Sequence, residues 1–423
     1  MQDLQNYLDK AQLNAVTYCD GPTLILAGAG SGKTRVLTYK IAYLLRQGVM
    51  PWQILALTFT NKAAREMNER IAKLVDSDAI KQLWSGTFHS LFGRILRFEA
   101  QHIGYTSNFT IYDQSDAQSL INTIIKEMEL DTKIYKPSAV LSRISDAKNR
   151  LVMPEDYRAD AVQRKSDMIA NMPEIYAIYE RYKNRCRQAN AMDFDDLLVE
   201  TYRLFRAHED IRLRYLQRFT YILVDEYQDT NYVQHQIISQ LTTPESCISV
   251  VGDDAQSIYG FRGARIENIL GFTRQYPTAK VIKLECNYRS TGTIVGAANA
   301  IIAHNQNQIP KHIYSNQGEG DALQLFATAS DKDESYRVAS EIKRLNRQKG
   351  VEHSDIAVLY RTNAQSRVVE EAFVQSGIKY RMYGGLRFYD RKEVKDILAY
   401  LRVMINPSDD ISVRRIINVP KRS

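Results

Sequence analysis

The feature that most constrains this chain is a glycine-rich segment lying between a short apolar run and a helical pattern. Residues 27–34 read AGAGSGKT, after an apolar run at 23–26 and before a helical pattern that begins at about Lys33. Glycines let backbone N–H groups curl around phosphates at the positive end of a helix. The combination predicts a phosphate-binding loop in a parallel α/β domain, with alanine where the general pattern begins with glycine. In such a loop the Lys33 ammonium reaches the β- and γ-phosphates and the Thr34 hydroxyl binds Mg²⁺.

Short apolar runs recur along the chain and alternate with longer helical patterns. Each run has four to six residues and ends in polar residues or glycine, which is typical of buried parallel strands. These predicted strands are residues 23–27, 54–58, 221–224, 247–251, 281–284 and 356–360. Residues 91–190 differ, because they are helical in period, rich in charged residues and tyrosine, and without a clear buried strand. We interpret them as a helical subdomain inserted into the first α/β unit.

Composition narrows the class of protein without deciding it. With 423 residues the chain is too long for one compact core, so several domains are expected. A net charge of +7 suits a polyanionic partner but does not establish one. The four cysteines are scattered and the seven histidines show no metal-ligand spacing, so neither a disulfide framework nor a zinc site is indicated. No signal peptide and no membrane-spanning run is apparent.

Two later strand ends carry the polar groups that nucleotide hydrolysis needs. The run at 221–224 ends in Asp225 and Glu226, which would hold Mg²⁺ and polarise the attacking water, respectively. A kinase of small molecules would not need the second acid, so Glu226 favours hydrolysis. The run at 247–251 leads to Gln256, whose neutral amide can contact a γ-phosphate oxygen and respond to its loss.

Seven segments in this order resemble the UvrD/Rep/PcrA branch of the superfamily 1 DNA helicases. They read GAGSGKTR, TFTNKAA, GTFHS, DFDDL, VDEYQD, GDDAQSIY and NYRS, at residues 28–35, 58–64, 86–90, 193–197, 224–229, 252–259 and 287–290. The resemblance covers essentially the whole chain. It implies a P-loop RecA-like parallel sheet domain with an inserted helical subdomain, followed by part of a second RecA-like lobe.

The resemblance also implies domain limits and an activity. The first lobe would take residues 1–90 and 191–283, the inserted helical subdomain 91–190, the second lobe 284–382, and the start of a second helical insertion 383–423. Members of the family hydrolyse ATP with Mg²⁺, move along single-stranded DNA from 3′ to 5′, and separate duplex at junctions. A cytoplasmic protein of DNA repair or replication, with protein partners from those processes and no membrane association, is the corresponding expectation.

The resemblance assigns the nucleotide site residue by residue. Gln12 matches the glutamine that reads adenine, Tyr288 the ring that stacks on it, and Arg289 the arginine that reaches the γ-phosphate. The expected catalytic residues are Lys33, Glu226, Gln256 and Arg289, and the expected Mg²⁺ ligands are Thr34 and Asp225. The expected nucleotide-binding residues are Gln12, Gly28, Ala29, Gly30, Ser31, Gly32, Lys33, Thr34, Arg35, Tyr288 and Arg289.

Several aromatic residues stand beside polar residues just after the ends of predicted β-strands. Such a pattern suits a binding track for single-stranded nucleic acid, because ring faces stack on bases of any sequence. The predicted track consists of Phe59, Thr60, Asn61, His89, Tyr259, Phe261, Arg262, Thr362 and Asn363. Thr60-Asn61 and Thr362-Asn363 follow similar apolar runs, which indicates two related lobes presenting the same feature to one ligand.

Phe88 fits the track and the core equally. Phe261 stands where the family usually has tryptophan. Because Gln256 and Phe261 share one loop, we hypothesise that loss of phosphate is transmitted along it to the base stack.

Other readings of the sequence stay open. A superfamily 1 RNA helicase, a helicase–nuclease fusion, and a non-motor module that uses ATP as a switch are the alternatives. The later family motifs do not appear before Ser423, and residues 383–389 resemble the start of the second insertion. We therefore expect a fragment that binds nucleotide and DNA weakly and hydrolyses ATP slowly.

Overall fold

The computed structural model describes residues 2–75, 77–383 and 391–420, and its centre is a six-stranded parallel sheet. The strands in chain order are β1 Thr23–Ala27, β2 Ile54–Thr58, β3 Trp84–Thr87, β4 Thr110–Tyr112, β5 Ala191–Asp193, β6 Tyr221–Val224, β7 Cys247–Gly252, β8 Lys280–Leu284, β9 Cys286–Asn287 and β10 Tyr314–Ser315. The sheet order is β3-β2-β6-β7-β1-β8. The predicted α/β fold class is confirmed.

Helices account for most of the remaining regular structure. In chain order they are α1 Gln2–Gln5, α2 Lys10–Thr17, α3 Lys33–Arg46, α4 Asn61–Ala72, α5 Ser77–Gln82, α6 Phe88–Glu99, α7 Gln114–Glu127, α8 Pro137–Asn149, α9 Pro154–Ala159, α10 Ala161–Ile169, α11 Ile175–Gln188, α12 Phe194–Ala207, α13 Glu209–Arg218, α14 Tyr232–Gln240, α15 Glu267–Leu270, α16 Phe272–Gln275, α17 Gly292–Ile302, α18 Asp331–Lys349, α19 Asn363–Ser376, α20 Lys392–Ile405 and α21 Asp410–Ile416. None of these helices is long and apolar enough to cross a membrane.

The central strands are mainly apolar because both of their faces are buried. Leu24 and Leu26 of β1 belong to one hydrophobic core, while Ile25 and Ala27 belong to the core on the opposite face. Successive side chains of a strand point to opposite faces, so a strand buried on both sides is mainly apolar along its whole length. For this reason β1 and β2 could be predicted from their apolar runs in the sequence.

The parallel arrangement brings the predicted site segments to one edge of the sheet. Leu26 pairs with Gly252 and Ala27 with Leu284, so the segments that follow β1, β7 and β8 leave the sheet together. Likewise, Thr58 pairs with Thr87. The carboxyl ends of the strands are where ligands bind in open α/β sheets.

Five of the six predicted strands are present, and the sixth prediction is wrong. Residues 356–360 form no strand, and Leu359 is 93 % exposed. A strand needs neighbours for its backbone hydrogen bonds, and no strand is assigned to the described residues between 321 and 397. Conversely, β3 was not predicted, because Ser85 and Gly86 interrupt its apolar character.

The helical region has its own core. α6 packs with the sheet through Phe92 and Ile95, whereas a separate hydrophobic core begins at Tyr112 and joins α7, α8 and α11. The short strands β4 and β5, which were not predicted, pair in parallel at the base of this region. The predicted subdomain limits of 91 and 190 stay predictions.

Two compact units can be distinguished. One contains the described residues up to Gly320 and those from Leu398 onward, and the other contains Asp321–Ile397. In the second unit, α18 and α19 pack through a small core that includes Ile342 and Phe373. In the first unit, Asn406 Nδ2 donates to Thr110 Oγ1 at 2.9 Å. Of the predicted start of a second insertion, residues 383–423, only residues 384–390 and 421–423 lie outside the described residues.

Candidate nucleotide site and nucleic-acid groove

The loop between β1 and α3 has the backbone that its glycines allow. Gly30 and Gly32 have φ angles of 69° and 87°, in the left-handed region that favours glycine. A Cβ atom at Gly28 would lie 2.3 Å from Ile313 Cδ1, so a larger residue there would collide with a neighbouring segment. Ser31 Oγ donates to Gly28 O at 2.7 Å and closes the loop. α3 then starts at Lys33, with its free N–H groups facing the loop.

Lys33 reaches across the sheet to the acid predicted to activate water. Its Nζ lies 2.9 Å from Glu226 Oε2, although β7 separates β1 from β6 in the sheet. Glu226 has a φ of 49°, a strained conformation for a residue with a side chain. Gln228 Nε2 donates to the same Glu226 oxygen at 2.8 Å. The predicted phosphate-binding lysine and the predicted water-activating acid therefore share one site.

Asp225 is a buried carboxyl that lacks a full counter-charge. Burial, together with the neighbouring Glu226, raises the pKa of Asp225 to about 7. A divalent cation would supply that charge, and the hydroxyl of Thr34 with the carboxylate of Asp225 forms an oxygen donor set that suits Mg²⁺. Within the described chain, no group of three or more His, Cys, Asp or Glu residues is placed to hold a metal. The residues thus fit an ion that takes its other ligands from phosphate and water, as Mg²⁺ usually does.

A chain of amide and carboxylate groups leads from Glu226 to the predicted γ-phosphate sensor. Gln228 bonds Glu226 through its Nε2 and accepts from the Asp253 backbone N–H through its Oε1 at 3.0 Å. Gln256 Nε2 in turn donates to Asp253 Oδ2 at 2.5 Å. The roles of Gln228 and Asp253 were missed by sequence reasoning. The signal that could have identified Gln228 and Asp253 is that they belong to the segments VDEYQD and GDDAQSIY, which carry the family resemblance.

The amino-terminal residues close the other side of the loop. Gln12 is buried, and its Nε2 donates to Ser31 O at 2.9 Å. Asp9 caps α2 through Gln12 N at 2.8 Å and accepts from the Tyr288 hydroxyl at 2.5 Å. The structure therefore places the two predicted adenine-contacting residues beside the loop and adds Asp9, which sequence reasoning missed.

The segment after β8 fixes Arg289 beside the glycine loop. Asn287 Nδ2 donates to Ala29 O at 2.7 Å, and the Tyr288 backbone N–H donates to Gly30 O at 3.0 Å. Asn287 Oδ1 also accepts from the Arg289 N–H at 2.8 Å. The Arg289 side chain is exposed, so it is available to a ligand at the loop. Arg35 is exposed as well, and its guanidinium lies 5.8 Å from the Tyr39 ring.

A groove of about 560 Å³ lies between the sheet edge and the helical region. Predicted track residues that line it are Phe59, Thr60, His89, Phe261 and Arg262. The Tyr259 ring lies 5.2 Å from that of Phe59 and 6.0 Å from that of Phe261, which makes a row of three aromatic rings. The Arg262 guanidinium sits 5.5 Å from the Phe261 ring. Rings and a cation are therefore combined along one wall.

Other residues of the groove lining are polar or acidic. Asp195 Oδ2 accepts from Ser145 Oγ at 2.6 Å, and burial raises the pKa of Asp195 to about 6. Asp229 also lines the groove, and its Oδ1 is buried without a hydrogen-bond partner. Burial lowers the pKa of His89, so its imidazole is held neutral.

Comparison with known proteins decides the family. The family model of the UvrD/REP helicase N-terminal domain matches residues 8–277, and that of the UvrD-like helicase C-terminal domain matches residues 282–423. The chain belongs to the UvrD/REP helicase family. The ATP-dependent DNA helicase PcrA of Leuconostoc citreum is 45 % identical over all 423 residues, and that of Staphylococcus aureus strain Mu50 is 47 % identical. The chain covers 56 % and 57 % of these two relatives, so it spans little more than half of their length.

Four predicted track residues of this UvrD/REP helicase chain are not among the residues that line the groove, namely Asn61, Tyr259, Thr362 and Asn363. Asn61 begins α4 after its cap Thr60 and is exposed. Thr362 and Asn363 belong to the other compact unit, where Thr362 caps α19. Phe88 is 2 % exposed and packs on Phe92, as a core residue does, although it reaches the groove lining.

Sequence reasoning also left Phe194 of the segment DFDDL without a role. It lies at the groove, and its ring is 6.0 Å from that of His89. Half of its side chain is exposed. Exposure of so large an apolar side chain at a groove was the property that the sequence could not reveal.

Proposed function

We propose that this chain carries the ATP-driven motor of a DNA helicase that moves along single-stranded DNA from 3′ to 5′. The activity accords with the printed names of the relatives, which are ATP-dependent DNA helicases. The direction of movement rests on the family resemblance. The observation that carries the proposal is a linked set of side chains that runs from the phosphate loop to the loop that bears Tyr259 and Phe261. Its members are Lys33, Glu226, Gln228, Asp253 and Gln256.

In this proposal, binding of ATP replaces the contact between Lys33 and Glu226. The Lys33 ammonium moves to the β- and γ-phosphates, and Glu226 is released to orient a water molecule toward the γ-phosphorus. Attack by that water breaks the bond between the γ-phosphorus and the bridging oxygen, which gives ADP and inorganic phosphate. Thr34 and Asp225 would hold Mg²⁺, whose positive charge would offset the charge on the phosphate oxygens. Arg289 would stabilise the charge that develops in the transition state.

Single-stranded DNA would lie in the groove, with bases against the rings of Phe59, Tyr259 and Phe261. Stacking of this kind accepts any base, as a motor must. Thr60 and Arg262 would contact phosphates. Single-stranded DNA and its junctions with duplex are the proposed partners, and repair or replication is the proposed setting.

The test compares the variant Glu226→Gln with wild type in ATP turnover, with and without single-stranded DNA. The substitution keeps the shape of the side chain but removes its charge, so turnover is expected to fall by about 10²–10⁴-fold. Affinity for ATP should stay within about threefold, because Lys33 keeps its phosphate contacts. Glu69→Gln, at an exposed position of α4, is the matched control and should behave as wild type. Turnover by Glu226→Gln at the wild-type rate would refute the assignment.

A further inference from the structure

A lysine outside the predicted site residues is buried against residues 253–256, the segment that carries Gln256 and is called the sensor loop below. Lys311 has a side chain 5 % exposed, and its Nζ lies 3.0 Å from Asp253 Oδ1 and in closer contact with Asp254 Oδ1. The backbone N–H of Ile309 donates to Asp254 Oδ2 at 2.7 Å. Burial opposes the charge of Lys311, but the carboxylates of Asp254 and Asp253 outweigh it and hold the pKa of Lys311 above its usual value.

The carboxylate of Asp253 connects this lysine to Gln256. One oxygen of Asp253 accepts from Lys311 and from the Ala255 backbone N–H, the latter at 3.1 Å. The other oxygen accepts from Gln256 Nε2 at 2.5 Å. Because the two oxygens belong to one planar group, fixing the first oxygen sets the direction of the second. Lys311 and the Ala255 N–H therefore together set the position of the Gln256 amide.

The segment that contains Lys311, residues 309–317, also contacts the other parts of the nucleotide site. Ile313 packs against Gly28, whose missing Cβ makes room for it. Further along, Gln317 Nε2 donates to Tyr288 O at 3.1 Å, beside Arg289. One segment thus joins the sensor loop, the glycine loop and the segment that bears the arginine.

We propose that Lys311 is a positioning residue for the triphosphate response, which holds Gln256 through Asp253 and ties that loop to the segment carrying Arg289. The inference rests on the proposed function, since it takes Gln256 to contact the γ-phosphate. In the absence of Lys311, Asp253 and Asp254 repel each other, so the Gln256 amide loses its fixed direction. The nucleotide would still bind through the glycine loop and Lys33, but the site would no longer distinguish ATP from ADP.

The experiment measures the ratio of the dissociation constants for ADP and for a slowly hydrolysed ATP analogue, at saturating Mg²⁺. The variants are Lys311→Met, Gln256→Ala and the double variant, with Lys349→Met as control because Lys349 forms only an exposed ion pair with Asp321. Lys311→Met should bring the ratio to within about threefold of that of Gln256→Ala, and the double variant should lose no more than either alone. Lys349→Met should keep the wild-type ratio. A purely structural lysine would lower the melting temperature and leave the ratio unchanged.

Two results would overturn the proposal while leaving the proposed function intact. One is a folded Lys311→Met with the wild-type ratio, and the other is a loss that adds to that of Gln256→Ala in the double variant. If Lys311→Met does not fold, Asp254→Asn takes its place, because it removes the charge that pairs with Lys311 while keeping the shape of the side chain. The ratio of the ADP and ATP-analogue dissociation constants is then measured for Asp254→Asn alone and combined with Gln256→Ala. A wild-type chain that binds both nucleotides equally would overturn the proposed function and the inference together.

Discussion

Replacing Phe261 by alanine should weaken binding of single-stranded DNA without affecting the fold. The ring is 80 % exposed, so its removal costs little burial, and it ends the row formed with Phe59 and Tyr259. A ring stacked on one base contributes about 1–3 kcal/mol. Since about 1.4 kcal/mol is a factor of ten, the dissociation constant should rise by roughly 5- to 150-fold.

The assay is fluorescence anisotropy of a labelled oligo-dT, repeated at several salt concentrations. Phe261 carries no charge, so Phe261→Ala should leave the slope of log affinity against log salt unchanged. Arg262→Gln should reduce that slope by about 0.7, the value for loss of one phosphate contact to a single strand. Phe261→Trp should bind at least as tightly as wild type, because the larger ring stacks over more area.

The matched control is Ile258→Ala, which removes an exposed apolar side chain from the same loop. The reasoning would be refuted if Phe261→Ala bound DNA within about twofold of wild type, since that is below the weakest stacking contribution. An equal loss in Ile258→Ala would show that the loop, rather than the ring, was responsible.

Three further predictions concern the rest of the chain. Because the pKa of Asp225 is raised to about 7, its contribution to stability falls as pH rises from about 4 to about 7 and then levels off. The same proton competes with Mg²⁺, so Mg²⁺-dependent nucleotide affinity should rise from pH 6 to pH 8, and titration of Asp225→Asn should show no such rise. Lys148→Met removes the ion-pair partner of the buried Asp193 and Asp196 carboxylates. Chemical denaturation should therefore show the free energy of unfolding reduced by about 3–5 kcal/mol, against less than about 0.5 kcal/mol for Lys62→Met, whose lysine is exposed. Gln12→Ala should reduce the preference for ATP over GTP about tenfold in competition binding, and an unchanged preference would exclude an adenine contact.

Most of the strands that build the site could be predicted because burial on both faces favours a mainly apolar run. That signal is local and survives without knowledge of neighbours, as at Ile54–Thr58. The apolar pattern fails as a predictor where the presence of an adjacent strand determines whether a segment joins the sheet. Residues 356–360 are similarly apolar but have no paired strand, whereas Trp84–Thr87 is held in the sheet by β2 despite its polar serine and its glycine.

The nucleotide site was predictable for a similar reason, since its groups lie within short segments at strand ends. Lys33 and Glu226 could be assigned separately, and the parallel sheet then brought them together. Lys311 could not be found in this way. Its partners precede it by more than fifty residues, and a lysine between proline and histidine resembles any surface lysine until the fold buries it.

The most direct test of the account is the affinity of this chain for single-stranded DNA under two nucleotide states. Dissociation constants for oligo-dT would be measured with saturating ADP and with a saturating ATP analogue, for wild type and for Gln256→Ala. If the phosphate loop is coupled to the aromatic row, the dissociation constants for oligo-dT in the two nucleotide states should differ by at least about fivefold in wild type, and by much less in Gln256→Ala. Equal DNA affinity in both nucleotide states, with both nucleotides bound, would contradict the coupling on which the motor depends.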